Sequence, residues 1–279
     1  MKHQKFVAAV GQIECALGDV DANVAKIVRM SKEAADNGAK AIVFPELAVQ
    51  GYSPATIAGG YYEISEPVPG PTTDLLCKAA QDNGIYIITG MSELSSIPGK
   101  LYNSQICCAP DGTIASLYRK IHVWGLEKLY WEPSTECDFA TFETPWCKAG
   151  TMICYDTSFP ETARCLALLG CNVIFDSAAW RVQEDDIWDL NTRSRALENH
   201  VYMLCSNLIG MYGDTKLNGH SRIIDPRGRI LAELDSETEG IIYSEIDIDK
   251  ATLDNALFLS YMKERRPEAY SLIADTTDR

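Results

Sequence analysis

Apolar positions along this chain repeat with two periods, one typical of helices and the other typical of strands. Between Asp21 and Gly38 they recur at helical spacing, which predicts a helix that Asp21 caps and Gly38 ends. Lys5–Ile13 alternates as a strand does, and Ala41–Phe44 is a short apolar run of the kind found in buried strands. The first part of the chain therefore predicts a strand–helix–strand unit.

Similar signals continue toward the C-terminus. Three more helices are predicted, from Thr72 or Thr73 to Gly84, at Glu161–Leu169 and at Asp185–Asn199. Further strands are predicted at Ile85–Thr89, Tyr102–Ala109, Ile114–Tyr118, Phe139–Phe142, Ala149–Ile153, Val173–Phe175, Tyr202–Ser206, Ser221–Ile224, Ile230–Glu233 and Ile241–Ile246. Residues 51–71, rich in Gly, Pro and Tyr, predict a long loop over an active-site mouth. Because no linker or fixed-period repeat divides the chain, we expect one α/β domain over residues 1–279, with a mixed sheet layered with helices.

Composition and charge narrow the classes of function. The hydrophobic share of 46% and the charged share of 23% are ordinary for a soluble globular protein. The formal net charge of −14 argues against nucleic acid as a ligand, since phosphate binding needs clustered Lys and Arg. No apolar stretch reaches the roughly 18 residues of a membrane span, and Gly11, Gln12 and Glu14 interrupt what could otherwise pass for a signal peptide. We therefore expect a cytoplasmic protein without nucleic-acid or membrane partners.

The ten cysteines and four histidines are scattered along the sequence, without CxxC or HExxH spacing. Scattered cysteines without a secretory signal favour reduced thiols over a disulfide framework. The usual spacings of metal ligands are missing as well, so the sequence predicts no metal site.

Three segments place chemically useful side chains at the ends of predicted strands. Glu46 follows the apolar run Val43-Phe44-Pro45, where burial would disfavour its ionised form and suit a general base. Lys120 ends another strand and could offer fixed positive charge to an oxyanion. Taken alone, a residue of either type at the end of a strand is more often a solvated surface residue than a functional one.

Cys154 ends the strand Ala149–Ile153, a few residues before the helix that begins near Glu161. Backbone N–H groups at such a turn can hold an oxyanion, and a nearby positive charge would lower the thiol pKa. Its position makes Cys154 the best candidate among the ten cysteines for a reactive thiol. The alternative is a small buried core residue, which is the usual role of a free cysteine.

Together, the segments FPEL, YRKIH and GTMICYDTSFPE closely resemble, in this order, the three signatures of the nitrilase superfamily of carbon–nitrogen hydrolases. YNS at Tyr102–Ser104, SNLIG at Ser206–Gly210, GHSRIIDPRG at Gly219–Gly228 and RRPEAY at Arg265–Tyr270 also resemble family features in family order. The resemblance implies a four-layer αββα sandwich and a homodimer or higher homo-oligomer. Residues 257–279 could form the C-terminal tail that crosses to the partner.

The resemblance also implies roles for individual residues. Glu46, Lys120 and Cys154 correspond to a catalytic triad, and Glu127 corresponds to a second glutamate that positions the substrate or Lys120. Glu46 would act as the general base, Cys154 as the nucleophile, and Lys120 with the N–H of Tyr155 as the oxyanion donors. Hydrolysis would pass through a thioester, consume water and release ammonia, with no cofactor.

The sequence is less specific about the substrate. Nitrile-cleaving members usually carry Trp-Glu after the nucleophile, whereas Tyr155-Asp156 resembles amidase and carbamoylase members, so we expect a small amide or N-carbamoyl substrate. The side chains expected to bind it, because they lie beside the catalytic segments, are Tyr52, Trp124, Tyr155, Trp180 and Arg181. Core packing, or a solvated arginine in the case of Arg181, remains open for these residues. A nitrilase and a non-catalytic binding member of the fold are the alternative functions, and we expect thiol labelling to distinguish the latter.

Overall fold

The computed structural model describes residues 5–134, 139–249 and 261–275. In chain order its helices are α1 (Val20–Asp36), α2 (Pro54–Ile57), α3 (Tyr61–Ile64), α4 (Pro71–Asn83), α5 (Pro160–Leu168), α6 (Asp185–Asn199) and α7 (Tyr261–Glu264). Its strands are β1 (Lys5–Gln12), β2 (Ala39–Val43), β3 (Tyr86–Leu94), β4 (Leu101–Cys108), β5 (Ile114–Arg119), β6 (Thr141–Glu143), β7 (Lys148–Ile153), β8 (Val173–Ala178), β9 (Tyr202–Asn207), β10 (Ile209–Tyr212), β11 (Thr215–Asn218), β12 (Arg222–Ile224), β13 (Ile230–Glu233) and β14 (Gly240–Asp247).

Within these ranges the strands form two six-stranded sheets and a separate hairpin, β10–β11. The first sheet has the order β14-β1-β2-β3-β4-β5, and the second has the order β13-β12-β9-β8-β7-β6. The central pairs β1–β2, β2–β3, β7–β8 and β8–β9 are parallel, and the outer pairs are antiparallel. Both sheets are therefore mixed, as the sequence predicts.

The hydrophobic clusters define four layers. One cluster joins the facing sides of the two sheets, with Phe6 and Val43 from the first sheet against Phe175 and Leu204 from the second. A second cluster packs α1 and α4 on the outer side of the first sheet, and a third packs α5 and α6 on the outer side of the second. Helices on both outer faces of two stacked sheets confirm the expected αββα sandwich.

Several local features differ from the sequence predictions. Asp19, rather than Asp21, caps α1, because its side chain accepts a hydrogen bond from the N–H of Ala22. Helix α4 begins at Pro71 after Gly70 instead of at Thr72 or Thr73, since proline is well suited to the first helical position. Residues 51–71 are not one irregular loop: they contain α2, a 3₁₀ turn at Ala58–Gly60 and α3.

The C-terminal segment is described from Tyr261 to residue 275. It contains α7 and two 3₁₀ turns, Pro267–Ala269 and Ser271–Ile273. Residues 257–260 and 276–279 of the expected tail lie outside the described residues, and its crossing to a partner stays a prediction. Across residues 5–134, 139–249 and 261–275, we find no helix with the length and hydropathy that a membrane span requires.

Candidate active site

Three strand ends converge at one edge of the sandwich. Glu46 follows β2, Lys120 follows β5, and Cys154 follows β7. Strand β5 runs in the same direction as β2, because β3 is parallel to β2 and both β3 and β5 are antiparallel to β4. The carboxyl ends of parallel strands meet at the same sheet edge, which explains how side chains far apart in sequence come together.

Lys120 lies between two buried glutamates. Its Nζ is 2.5 Å from Glu46 Oε1, 2.8 Å from Glu127 Oε2 and 3.0 Å from Glu127 Oε1, and all three side chains are fully buried. Burial opposes the charge of the ammonium, but attraction to Glu127 and Glu46 outweighs it and raises the pKa of Lys120 well above its ordinary value. Lys120 is therefore a fixed positive charge.

Glu46 is poised to take up a proton near neutral pH. Burial raises the pKa of its carboxyl group from 4.5 to about 7, against the opposing attraction of Lys120. Oε1 accepts hydrogen bonds from Lys120 and from Nδ2 of Asn103 at 2.7 Å. Oε2 accepts no hydrogen bond of standard geometry among the described residues, although a contact of the Cys154 thiol with the carboxyl group lowers the pKa of Glu46. One oxygen is thus held in place while the other is left for proton transfer.

The turn that carries Glu46 passes very close to β3. The backbone N–H of Gly90 donates to the carbonyl of Pro45 at 3.1 Å. A Cβ at Gly90 would lie 2.5 Å from the nitrogen of Leu47 and 2.7 Å from Cα of Glu46. Glycine at this position is what allows the approach.

Cys154 occupies a strained turn. Its φ of +49° lies in the left-handed region, which residues with a side chain rarely adopt. Burial and the negative charge of Glu46 raise the pKa of the thiol well above its ordinary value, and these effects exceed the lowering by Lys120. The positive charge of Lys120 does lower this pKa, as expected, but burial and the charges of Glu46 and Glu127 outweigh it. At rest the thiol is protonated.

Two aspartates to which the sequence analysis gave no structural role hold this turn. The carboxyl group of Asp176, on β8, accepts a hydrogen bond from the N–H of Cys154 at 3.0 Å and another from the hydroxyl of Thr157 at 2.8 Å. Burial raises the pKa of Asp176 to about 8. A charged residue type within the apolar strand VIFDSA is a signal that could have drawn attention to it.

Asp156 links the Cys154 turn to the segment that carries Lys120. Its carboxyl group accepts hydrogen bonds from the Tyr118 hydroxyl at 2.8 Å and from the backbone N–H groups of His122 and Ile153 at 3.1 Å each. His122 Nδ1 also lies 2.8 Å from Asp156 Oδ1. A single fully buried side chain thereby fixes the segments that carry Cys154 and Lys120 relative to each other.

A cavity of about 170 Å³ opens onto Cys154. The five side chains expected to bind substrate all line it, namely Tyr52, Trp124, Tyr155, Trp180 and Arg181, and Glu127 lines it as well. The sequence analysis missed four further lining residues, Ser158, Ala179, Glu184 and Ile187. The cavity is smaller than the roughly 300–1,000 Å³ pockets that hold drug-sized ligands, so it suits a short acyl group.

Glu127 connects Lys120 to the wall of the cavity through hydrogen bonds. The Tyr52 hydroxyl donates to Glu127 Oε1 at 2.6 Å, and the N–H of Trp124 donates to Glu127 Oε2 at 3.1 Å. Burial and the charge of Glu127 raise the pKa of Tyr52 well above its ordinary value, so its hydroxyl stays a donor. Glu127 therefore positions Lys120 and two wall residues together.

Arg181 is not a freely solvated side chain. Its guanidinium lies over the ring of Trp124, 4.4 Å from the centroid, and pairs with the carboxylate of Glu184 through Nε at 3.0 Å and through Nη2. Trp180 packs on Trp188, with ring centroids 5.5 Å apart, and its Nε1 donates to the carbonyl of Glu184. Among the residues that the structure describes, no group of three or more His, Cys, Asp or Glu side chains is arranged to hold a metal ion.

Comparisons with known proteins give the context of this site. The family described as carbon–nitrogen hydrolase matches residues 7–255. Among curated relatives, omega-amidase NIT2 of Homo sapiens is 35% identical over 244 residues, covering 82% of this chain and 84% of that protein. The nitrilase of Pyrococcus abyssi is 36% identical over 259 residues, covering 90% of this chain and 93% of that protein.

Solved structures agree with the architecture. An amidase from Nesterenkonia sp. superposes with a TM-score of 0.84 at 23% identity, covering 98% of each chain, and this likeness concerns the fold alone. Nit3 of Saccharomyces cerevisiae, a member of branch 10 of the nitrilase superfamily, has a TM-score of 0.84 at 28% identity, covering 94% of this chain and 97% of its own. The family match over most of the chain and the curated relatives establish that this protein belongs to the carbon–nitrogen hydrolase family.

Proposed function

We propose that this protein hydrolyses the carbon–nitrogen bond of a small amide or N-carbamoyl compound through a thioester on Cys154, releasing ammonia from a primary amide. The observation that carries the proposal is the buried contact of Lys120 with both Glu46 and Glu127, beside a protonated thiol at the end of a small cavity. A carboxylate with a pKa of about 7, a fixed cation and a thiol are the groups that acyl transfer requires.

Acylation begins with proton transfer from the Cys154 thiol to ionised Glu46. The sulfur attacks the amide carbon, and the carbonyl oxygen takes up negative charge as the C=O bond becomes single. Lys120 stabilises this oxyanion together with the N–H of Tyr155, which lies in the first turn of the 3₁₀ helix Cys154–Ser158, where backbone N–H groups have no acceptor within the helix. Glu46 then protonates the nitrogen, the C–N bond breaks, and ammonia leaves a thioester.

Deacylation uses the same groups with water as the nucleophile. Glu46 accepts a proton from water, and the hydroxide oxygen attacks the thioester carbon. Collapse of the second tetrahedral intermediate expels the sulfur, which recovers a proton, and releases the acid. Glu127 contributes by holding Lys120 and Tyr52 in place, since its two oxygens contact both.

The substrate class rests on the cavity and on the residues after the nucleophile. A cavity of about 170 Å³ lined by aromatic side chains accommodates a short acyl group. Of the relatives, one is named an omega-amidase and another a nitrilase, so both amides and nitriles belong in the test. The pair Tyr155-Asp156 favours amides and carbamoyl compounds.

The test is ammonia release from a panel of primary amides, N-carbamoyl amines, N-carbamoyl amino acids and nitriles. We expect release from amides or carbamoyl compounds that disappears in Cys154→Ala. Cys165→Ala is the matched control, because this half-buried cysteine lies on α5 outside the cavity, and it should retain activity.

Three outcomes would overturn the proposal. Activity that persists in Cys154→Ala would remove Cys154 as the nucleophile. Release of ammonia from nitriles alone would mean that the substrate is a nitrile and not an amide or carbamoyl compound. No release from any compound would favour a binding protein.

A further inference from the structure

The wall of the cavity carries an ion pair that the hydrolysis itself does not use. Arg181 and Glu184 both line the cavity with Cys154, and both side chains are only partly exposed, at 33% and 26%. Their contact is bidentate, through Nε and Nη2 of the arginine. A partly desolvated pair of opposite charges at a substrate cavity requires a reason, because burial of charge costs free energy.

The ion pair is held rigidly. The guanidinium lies over the ring of Trp124, and the backbone N–H of Trp124 donates a hydrogen bond to Glu127. The backbone of Arg181 pairs with Leu217 on the hairpin strand β11. Side chains that are held in place before binding lose little conformational entropy when a ligand binds, and this pre-organisation increases affinity.

Both members of the pair keep free capacity for hydrogen bonds. A guanidinium has five N–H donors, and the contacts with Glu184 use two of them. A carboxylate has about four acceptor positions, of which the same contacts use two. An incoming carboxylate can therefore bind Arg181, and an incoming ammonium can bind Glu184, without separation of the pair. The complement of this surface is a ligand that carries adjacent negative and positive charges.

We infer that the substrate is the terminal amide of a short α-amino acid, with its α-carboxylate on Arg181, its α-ammonium on Glu184 and its side-chain amide at Cys154. This inference rests on the proposed hydrolysis and narrows its substrate class. A monoamide of a dicarboxylic acid would bring its carboxylate to Arg181 but leave Glu184 to repel it. An N-carbamoyl amino acid has no ammonium and would lose the contact with Glu184.

The experiment compares kcat/KM for a zwitterionic, an anionic and a neutral amide of matched length. The shorter set is asparagine, succinamate and propionamide, and the longer set is glutamine, glutaramate and butyramide. In the unaltered protein, kcat/KM for the zwitterionic amide should exceed kcat/KM for the anionic amide by about 10-fold or more, because a hydrogen bond to a charged group contributes an effect of this size. Glu184→Gln should lower this ratio by about 10-fold. Arg181→Met should lower kcat/KM for the zwitterionic and the anionic amide relative to kcat/KM for the neutral amide.

Ratios are measured within one preparation, so a variant that is partly unfolded still gives a valid result. The matched controls are Asp82→Asn and Lys78→Met, which make the same charge changes at an exposed ion pair on α4, and their ratios should equal those of the unaltered protein. An anionic substrate that is preferred over the zwitterion, or a ratio unchanged by Glu184→Gln, would overturn the inference. If none of these six amides releases ammonia but an N-carbamoyl compound or another amide of the wider panel does, this inference fails and the proposed function stands. No release from either set of compounds would mean that the proposed function fails as well.

Discussion

Replacement of Glu46 by Gln should abolish activity and at the same time stabilise the fold at alkaline pH. Gln is nearly the same size as Glu, keeps an oxygen for Lys120 and Asn103, and resembles the protonated acid. Because burial raises the pKa of Glu46 from 4.5 to about 7, the folded protein favours the uncharged acid more strongly than the unfolded chain does. The stabilisation from this group is therefore complete below pH 4.5 and is lost as pH rises through about 7.

The size of the effect follows from the two pKa values. At 1.36 kcal/mol per pKa unit, ionised Glu46 costs the folded state about 3 kcal/mol once the pH is above 7. The free energy of unfolding of Glu46→Gln should exceed that of the unaltered protein by about 1 kcal/mol at pH 5.5 and by about 3 kcal/mol at pH 8.5. Urea denaturation at these two pH values, followed by fluorescence, measures the difference.

The control is Glu33→Gln, the same chemical change at an exposed position of α1, which should alter the free energy of unfolding by less than about 0.5 kcal/mol at either pH. A Glu46→Gln effect that is destabilising, or equal at both pH values, would refute the argument that burial raises the pKa of Glu46.

Three further predictions test the geometry of the site. Gly90→Ala should lower the free energy of unfolding by about 1–3 kcal/mol in denaturation measurements, since the new Cβ would lie 2.5 Å from the nitrogen of Leu47; unchanged stability would contradict this close approach. Asp176→Ala should lower kcat about 10-fold with little change in KM, because the N–H of Cys154 loses its acceptor. Asp176→Asn keeps an oxygen acceptor and should keep most of the activity. Equal rates in the two variants would argue against positioning of Cys154 by this hydrogen bond. Lys120→Met should lower kcat about 100-fold to 1,000-fold at saturating amide, and a smaller loss would mean that the oxyanion is stabilised elsewhere.

The strand ends that carry Glu46, Lys120 and Cys154 could be located from sequence because the signals are local. Each follows a short apolar or alternating run, and such runs fix where a strand stops. The resemblance of three separate segments to one superfamily then brought these positions into a common site and implied the four-layer fold.

The supporting residues could not be located in this way. Asp176 and Asp156 act through hydrogen bonds to partners 22 and 38 positions away, at Cys154 and Tyr118, and no periodicity records such pairs. The raised pKa of Cys154 is not predictable from sequence for the same reason, since burial and the balance of nearby charges arise only in the folded chain. The hairpin β10–β11 is a different case, because its turn at Gly213-Asp214 is a local signal that was overlooked.

The raised pKa of Cys154 has a consequence for how this protein ages. Peroxides oxidise the thiolate of a cysteine far faster than the neutral thiol, and the first product, a sulfenic acid, can proceed to forms that are not reversed. A nucleophile that stays protonated between turnovers is a poor target for this chemistry. In the proposed mechanism, the same burial that makes Cys154 depend on Glu46 for activation also protects the thiol between turnovers, so that oxidative damage should accumulate with turnover rather than with time.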